Sequence, residues 1–163
     1  MNDATTGSEK YLKTLLDYYE AEVKGEAYFQ GLADHIGDSA EHEKLALLAA
    51  VEHHAAAMTR PLVDSHGLTP RNETELLAMG KAGVARHRDF DWMAFVDYML
   101  VRFPAYIDEF ETLERMAPDA DLPILKFLTL HEVVTIDFAK MEKAGDPNSM
   151  APLHEYLASR PAT

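Results

Sequence analysis

Four long stretches of the sequence carry apolar residues at the three- and four-residue spacing of an amphipathic α-helix. The stripe runs from Leu12 to Ile36 in the first stretch and from Leu45 to Ala56 in the second. It runs from Trp92 to Leu113 in the third stretch and from Leu125 to Ala139 in the fourth. Nothing along the chain has the alternating pattern of a convincing half-buried strand. We therefore predict an all-α fold.

Capping and turn residues place the ends of the first two helices. We expect helix 1 to begin near Ser8, within a capping-box pattern, and to end at Gly37. Asp38 or Ser39 would cap helix 2, because both side chains accept hydrogen bonds from free N–H groups at a helix start. Pro61 is expected to kink or end that helix.

The second half of the chain predicts another helix pair. The connecting segment 67–89 holds a short helix, and helix 3 follows over about 91–116. Pro104 lies inside helix 3 and should bend it. Helix 4 runs from Pro123 to Gly145, and a last short helix covers Ser149 to Ala158.

The lengths of the connections set the expected topology. Short turns make helices 1 and 2 an antiparallel hairpin, and likewise helices 3 and 4. The longer segment between the hairpins can cross the length of a bundle. We predict one domain over 1–163, with a four-helix bundle over about 8–145 and a C-terminal tail over 146–163.

Three glutamates stand on the apolar stripes, where burial of an acid is costly unless it is paired, protonated or bound to metal. Glu26 and Glu52 each lie 13 residues from residue 39, at the first turn. Tyr106 and Glu132 each lie 13 residues from residue 119, at the second turn. Residues equidistant from a hairpin turn face each other, so these four side chains are expected to meet in the interior.

These positions carry a resemblance to a known family. The segment from Glu22 to Glu26, the Glu52-His-His sequence of helix 2 and the pair His131-Glu132 of helix 4 resemble ferritin-like di-iron proteins. Rubrerythrins and aldehyde-deformylating oxygenases share this pattern, which covers helices 1, 2 and 4. The resemblance implies a ferritin-like four-helix bundle with Glu26, Glu52 and Glu132 as metal ligands.

The chain departs from that family at three ligand positions. Ferritin-like di-iron sites take a Glu-x-x-His from each of two helices and one Glu from each of the other two. Here Ala55 and Thr135 stand where the histidines are expected, and Tyr106 replaces the helix 3 acid. Three of the six expected ligands are therefore missing, which argues against a standard di-iron site.

Other polar residues lie close to the predicted cluster. Arg102 stands one turn before Tyr106 and could neutralise the acids without a metal. His54 and His131 are near in sequence but point about 100° or more away from the expected ligand direction. A metal-free polar core and a non-standard metal site both remain open.

Composition narrows the class of partner and compartment. The formal net charge of −13 disfavours nucleic acids and anionic membrane surfaces as partners. The absence of cysteine excludes disulfides and thiolate metal sites, and the first residues lack the pattern of a signal peptide. We expect a cytoplasmic protein. Phe127, Val134 and Phe138 widen the apolar surface of helix 4 and predict a homodimer.

Three functional classes follow from the sequence. We expect a ferritin-like protein that lacks a standard di-iron site, needs no cofactor and acts by binding or assembly. The first alternative is an iron or manganese oxidoreductase with an unusual carboxylate ligand set. The second alternative is a bundle that binds a small apolar ligand in its interior. Whether the protein is an enzyme stays open, and so does its substrate.

Overall fold

The computed structural model describes the backbone of residues 2–163 and the side chains from Gly7 onward. The described residues form α-helices and two short 3₁₀ helices, with no strand among them, so the predicted all-α fold is confirmed. The α-helices are α1 (Asn2–Leu32), α2 (Ser39–Ser65), α3 (Glu73–Ala82), α4 (Trp92–Arg102), α5 (Pro104–Met116), α6 (Leu122–Lys143) and α7 (Ala151–Ala158). The 3₁₀ helices span Gly83–Arg86 and Asp119–Asp121.

The helix ends differ from the prediction at the start of the chain. Helix α1 begins at Asn2 rather than near Ser8, because no proline interrupts the preceding residues and the glycine there is tolerated within the helix. The predicted capping box includes Thr6, whose side chain lies outside the described residues. Asp38 caps α2 as expected, and its backbone N–H donates in return to the Glu41 carboxylate at 2.6 Å.

The two prolines act differently. Pro61 lies inside α2, which continues to Ser65, so this proline does not end the helix. Pro104 opens α5 at its first turn, where a proline has no N–H to leave unpaired. Phe103 alone separates α4 from α5, so the predicted helix 3 is two helices that meet at the proline.

Helices α1 and α2 run antiparallel along one another. The Glu26 carboxylate lies 3.0 Å from His53 Nδ1, and Arg60 Nη1 lies 3.4 Å from the Tyr19 hydroxyl. Both pairs are centred between residues 39 and 40, which fixes the register of the hairpin. Helix α2 also packs on α6, α6 on α5, and α5 on α1.

Helix α6 lies at the centre of the molecule, in contact with α2, α4, α5 and α7. Two of the three side chains that predicted a homodimer are covered within the chain, and the third, Val134, is partly buried. Phe127 stacks on Tyr156 of α7 with 4.6 Å between ring centroids, and Phe138 is fully buried near Trp92. Phe127 and Phe138 therefore offer no surface for a second copy, and the homodimer stays a prediction.

The hydropathy of the helices bears on membranes. Among the described residues, no helix combines the length and the apolar character that a bilayer crossing requires.

Candidate functional site

Four ionisable side chains from three helices meet in the centre of the bundle. They are Glu22 of α1, Glu52 of α2, and the neighbours His131 and Glu132 of α6. His131 is fully buried, and the three glutamates are buried as well. Buried acids in such number demand a compensating positive charge or protons.

His131 Nε2 is the atom around which the carboxylates gather. It lies 2.8 Å from Glu22 Oε2, 3.4 Å from Glu132 Oε1 and 3.8 Å from Glu52 Oε1. The closest of these pairs is not aligned as a hydrogen bond, since Nε2 and Glu22 Oε2 both remain without a hydrogen-bond partner. Glu132 Oε2 is likewise buried and unpartnered.

The other ring nitrogen of His131 fixes the imidazole. Nδ1 donates to the Leu128 carbonyl of the preceding turn, and Phe110 covers the ring edge-on at 5.3 Å between centroids. A histidine that gives its Nδ1 proton to a backbone carbonyl directs the lone pair of Nε2 at its partner, as metal-bound histidines do. A positive group must therefore stand between Nε2 and the carboxylates, and it is either a proton or a cation.

The electrostatics of the cluster favour protons wherever no cation is present. Burial raises the pKa of Glu52 well above its usual range, and repulsion from Glu22 adds to the effect. Burial also raises the pKa of Glu132, although His131 opposes the shift. Burial disfavours the His131 imidazolium, but the surrounding carboxylates, Glu22 first, outweigh it and raise the pKa of His131.

The spacing of the cluster suits a single metal ion. Glu22, Glu52 and His131 each offer one atom, and these three atoms lie within 4.8 Å of one another. Two ligands about 2.1 Å from one metal at tetrahedral or octahedral angles are separated by roughly 3.0–3.5 Å. The distances around His131 Nε2 bracket this range. Glu132 is close enough to add a fourth donor.

A glycine makes room for Glu52. A Cβ atom on Gly25 of α1 would lie 2.5 Å from Glu52 Oε2, which is closer than a methyl group can stand. The missing side chain lets the α2 carboxylate lie against the α1 backbone. Gly25 is thus a positioning residue of the cluster.

The cluster forms the floor of a cavity of about 470 Å³. Glu22, Glu52 and Glu132 line it, so the cavity ends at the buried carboxylates. The connecting segment closes one wall, where Gly80 of α3 lies so near α1 that a Cβ there would be 2.0 Å from the Lys24 carbonyl. A small molecule in this cavity would meet the carboxylates directly.

The structure places Glu26 apart from the other acids. Its carboxylate faces the exposed His53, and Glu22, one turn earlier, takes the central position that the sequence assigned to Glu26. Residues four apart on a helix differ in direction by about 40°. Because of this rotation, Glu26 points towards α2 and Glu22 points into the bundle.

The remaining sequence-predicted residues fall on two sides of the molecule. Tyr106 and Arg102 line the cavity, with the Arg102 guanidinium 4.5 Å from the centre of the Tyr106 ring. Burial raises the pKa of the Tyr106 phenol. His54 lies away from the acids, against Tyr156 of α7, with Nε2 3.0 Å from the Ser159 carbonyl.

Sequence reasoning kept Glu22 only as an available acid at another height or angle, gave Gly25 no part in the site and set His131 at its margin. Glu22 and Glu26 occupy the same stripe, so periodicity alone does not choose between them. The available signal was Gly25, a small residue beside both acids in the middle of a long helix. The sequence pattern set His131 beside the site because its side chain points about 100° away from that of Glu132. In a helix that is packed on several sides, however, consecutive residues can both be buried.

In comparisons with known proteins, the chain matches no protein-family model, no curated protein and no solved structure. Function is therefore inferred from the chemistry of the cluster and the cavity.

Proposed function

We propose that this protein binds one divalent transition-metal ion on Glu22, Glu52 and His131, with Glu132 as a further donor. The observation that carries the proposal is the set of buried, unpartnered ligand atoms around His131 Nε2. Three carboxylates and one imidazole form a mostly oxygen donor set, which suits iron(II) or manganese(II) better than a thiolate-preferring metal.

The packing also supports a ferritin-like arrangement as part of the proposal. Helices α1, α2, α6 and α5 pack in a closed ring, and the acids come from members of that ring. The carboxylate-based metal oxidoreductase is then the functional class that we favour. A bound iron or manganese ion would supply redox or Lewis-acid chemistry to a small molecule in the cavity.

The residues of the chain have definable tasks in this proposal. The Leu128 carbonyl holds the tautomer and orientation of His131. Phe110 shields the imidazole from water on one side. Gly25 admits Glu52 to the centre, and the cavity brings the small molecule to the carboxylates.

Metal titration of the chelator-treated protein tests the proposal. We expect about one equivalent of manganese(II), or of iron(II) without oxygen, to bind per chain in isothermal titration calorimetry. Glu22→Gln should weaken binding by more than about tenfold, since it removes a charged ligand. Glu26→Gln is the matched control on the same helix and should bind like the wild type.

Two outcomes would overturn the metal site. One is binding of less than about a tenth of an equivalent of metal per chain when metal is added in excess. The other is an equal loss of affinity in Glu22→Gln and Glu26→Gln. The latter result would indicate a general effect of lost negative charge rather than coordination by Glu22.

A metal-free binding protein is the second candidate. The observation that favours it is the raised pKa of His131, because a charged imidazolium can serve as an internal counter-ion for the acids. Under this proposal the cluster is structural and the cavity alone binds the ligand. The same calorimetric titration separates the two proposals, because only the first predicts metal uptake.

A further inference from the structure

The mouth of the cavity has the opposite charge to its floor. Lys24, Arg86 and Arg102 line the cavity, and none of them forms an ion pair with a carboxylate in the described part of the chain. Acidic residues outnumber basic ones by 28 to 15, so unpaired cations gathered at one opening are unexpected. Glu109 is the exposed acid that lines the same cavity.

Both exposed guanidinium groups lie against the cavity wall. Arg102 lies over the face of the Tyr106 ring, at 4.5 Å, where the π-electrons attract a cation. Arg86 lies against Gly83, since a Cβ atom on that glycine would be 3.0 Å from Arg86 Nη2. The planar fork of a guanidinium presents paired N–H donors to a carboxylate.

Phenol groups add hydrogen-bonding capacity beside these cations. Tyr28, Tyr98 and Tyr106 line the cavity, and the Tyr28 hydroxyl lies 2.7 Å from His87 Nδ1. His87 is also in contact with the Tyr98 ring, at 4.2 Å between centroids. The mouth therefore offers charged donors and hydroxyl groups to the polar end of a ligand.

The walls between mouth and floor are largely aromatic. Side chains of this kind bind flat or apolar bodies through area burial and edge-to-face contact. The aromatic residues along the cavity include Tyr28, Phe29, Tyr98, Phe103, Tyr106 and Phe110. A volume of about 470 Å³ accommodates a small organic molecule rather than an ion or a polymer.

We infer that the cavity binds a monocarboxylate with an aromatic or apolar body, its carboxylate at Arg86 and Arg102 and its body directed to the Glu22–Glu52–Glu132 floor. The floor acids repel a second negative charge, so one anionic group at the mouth is favoured over two. This inference rests on the proposed function in one respect: the end of the ligand opposite its carboxylate is taken as the part that meets the metal.

Calorimetric titration with three isosteric probes tests the inference. Naphthylacetate, naphthylacetamide and naphthylethylammonium share one body and differ in charge at the polar end. We expect the carboxylate to bind about tenfold more tightly than the amide, and the ammonium to bind most weakly. Arg86→Gln and Arg102→Gln should each lower carboxylate affinity about fivefold to tenfold and leave amide affinity unchanged.

Arg88→Gln is the matched control, because Arg88 is exposed, lies two residues from Arg86 and does not line the cavity. Equal affinity for carboxylate and amide would overturn the inference. So would an equal loss in Arg88→Gln and Arg86→Gln, which would indicate a general charge effect.

The titrations are run with chelator and with added manganese(II), which separates this inference from the proposed metal site. Carboxylate preference that persists in chelator and depends on the arginines supports the inference, even where no metal binds. Carboxylate preference that appears only with metal would overturn it, because the anion would then be held at the floor.

Discussion

Two glutamates of α6, ten residues apart, have largely covered side chains but opposite surroundings. The Glu142 side chain is 7% exposed and that of Glu132 is 9% exposed. Glu142 accepts hydrogen bonds from Lys44 Nζ at 2.9 Å and from Trp92 Nε1 at 2.8 Å. Ser149 Oγ donates to its other oxygen at 2.5 Å. Glu132 instead faces two other acids and one imidazole, and one of its oxygens has no partner.

The comparison shows that hydrogen-bond donors, and not burial alone, decide the direction in which the pKa of a covered carboxyl group shifts. Burial opposes ionisation at both residues, but donors from Lys44, Ser149 and Trp92 outweigh it and lower the pKa of Glu142. At Glu132 the same burial prevails, and the pKa is raised. A buried acid with its donors supplied ties α2, α4 and α6 together. A buried acid without such donors keeps a raised pKa, and its unpartnered oxygen is open to a proton or to the metal ion proposed above.

The largest effect is expected from breaking the satisfied acid. Glu142→Ala should lower the free energy of unfolding by about 3 kcal/mol, because Lys44 and Trp92 lose a buried acceptor. Urea unfolding of the chelator-treated protein measures the change. Glu155→Ala, at an exposed acid of α7, is the control and should change stability by less than about 0.5 kcal/mol. A loss below about 1 kcal/mol for Glu142→Ala would remove the contrast between the two regions.

A smaller effect of opposite sign is expected at the cavity floor. Glu52→Gln should raise the free energy of unfolding of the metal-free protein by about 1 kcal/mol. The amide carries no charge and can donate to the unpartnered Glu22 carboxylate. Glu26→Gln is the control, since Glu26 pairs with an exposed histidine. A destabilised Glu52→Gln would show that the Glu52 charge is already compensated without a metal.

Acidification is expected to produce the smallest change in the free energy of unfolding. It should reduce the difference between the contributions of Glu142 and Glu52. The lowered pKa of Glu142 gives stability above the unfolded-state value, near 4.3, that is lost as pH falls through the folded-state value. The raised pKa of Glu52 gives stability below the unfolded-state value that is lost as pH rises through the folded-state value.

Unfolding free energies measured in chelator across this pH range check both signs. We expect Glu142→Gln to be destabilising at neutral pH and its cost to fall as pH drops through the lowered folded-state pKa of Glu142. The gain of Glu52→Gln should disappear below the unfolded-state pKa, near 4.3, where Glu52 is protonated in both states. A gain from Glu52→Gln that grows on acidification would contradict the assigned direction.

The helices, and the approximate height of the acids along them, could be predicted from the sequence. The direction of every side chain could not. Glu26 contacts His53, one residue after the Glu52 that hairpin arithmetic predicted as its partner, so the arithmetic was off by one residue along α2. The arithmetic comes this close because antiparallel helices rise equally per residue. Direction depends on the rotation of each helix about its own axis, which packing on several neighbours decides.

The sequence offered an interior ligand site as one alternative, but the pattern did not predict the wall that forms this cavity. The cavity wall depends on how α3 and the 3₁₀ helix Gly83–Arg86 pack on α1. The contact of Gly80 with the Lys24 carbonyl sets that position. Short helices rich in glycine have weak periodicity, so their docking is determined by tertiary contacts rather than by local preference.

Gly25 has a consequence for recognising relatives of this chain. Because Glu52 occupies the space that a side chain at residue 25 would fill, the two positions are constrained to vary together. A descendant that keeps the acids but carries alanine at this position would need a displaced carboxylate. The pairing of a helix-interior glycine with an acid on the facing helix is therefore a more selective search criterion than the glutamates alone.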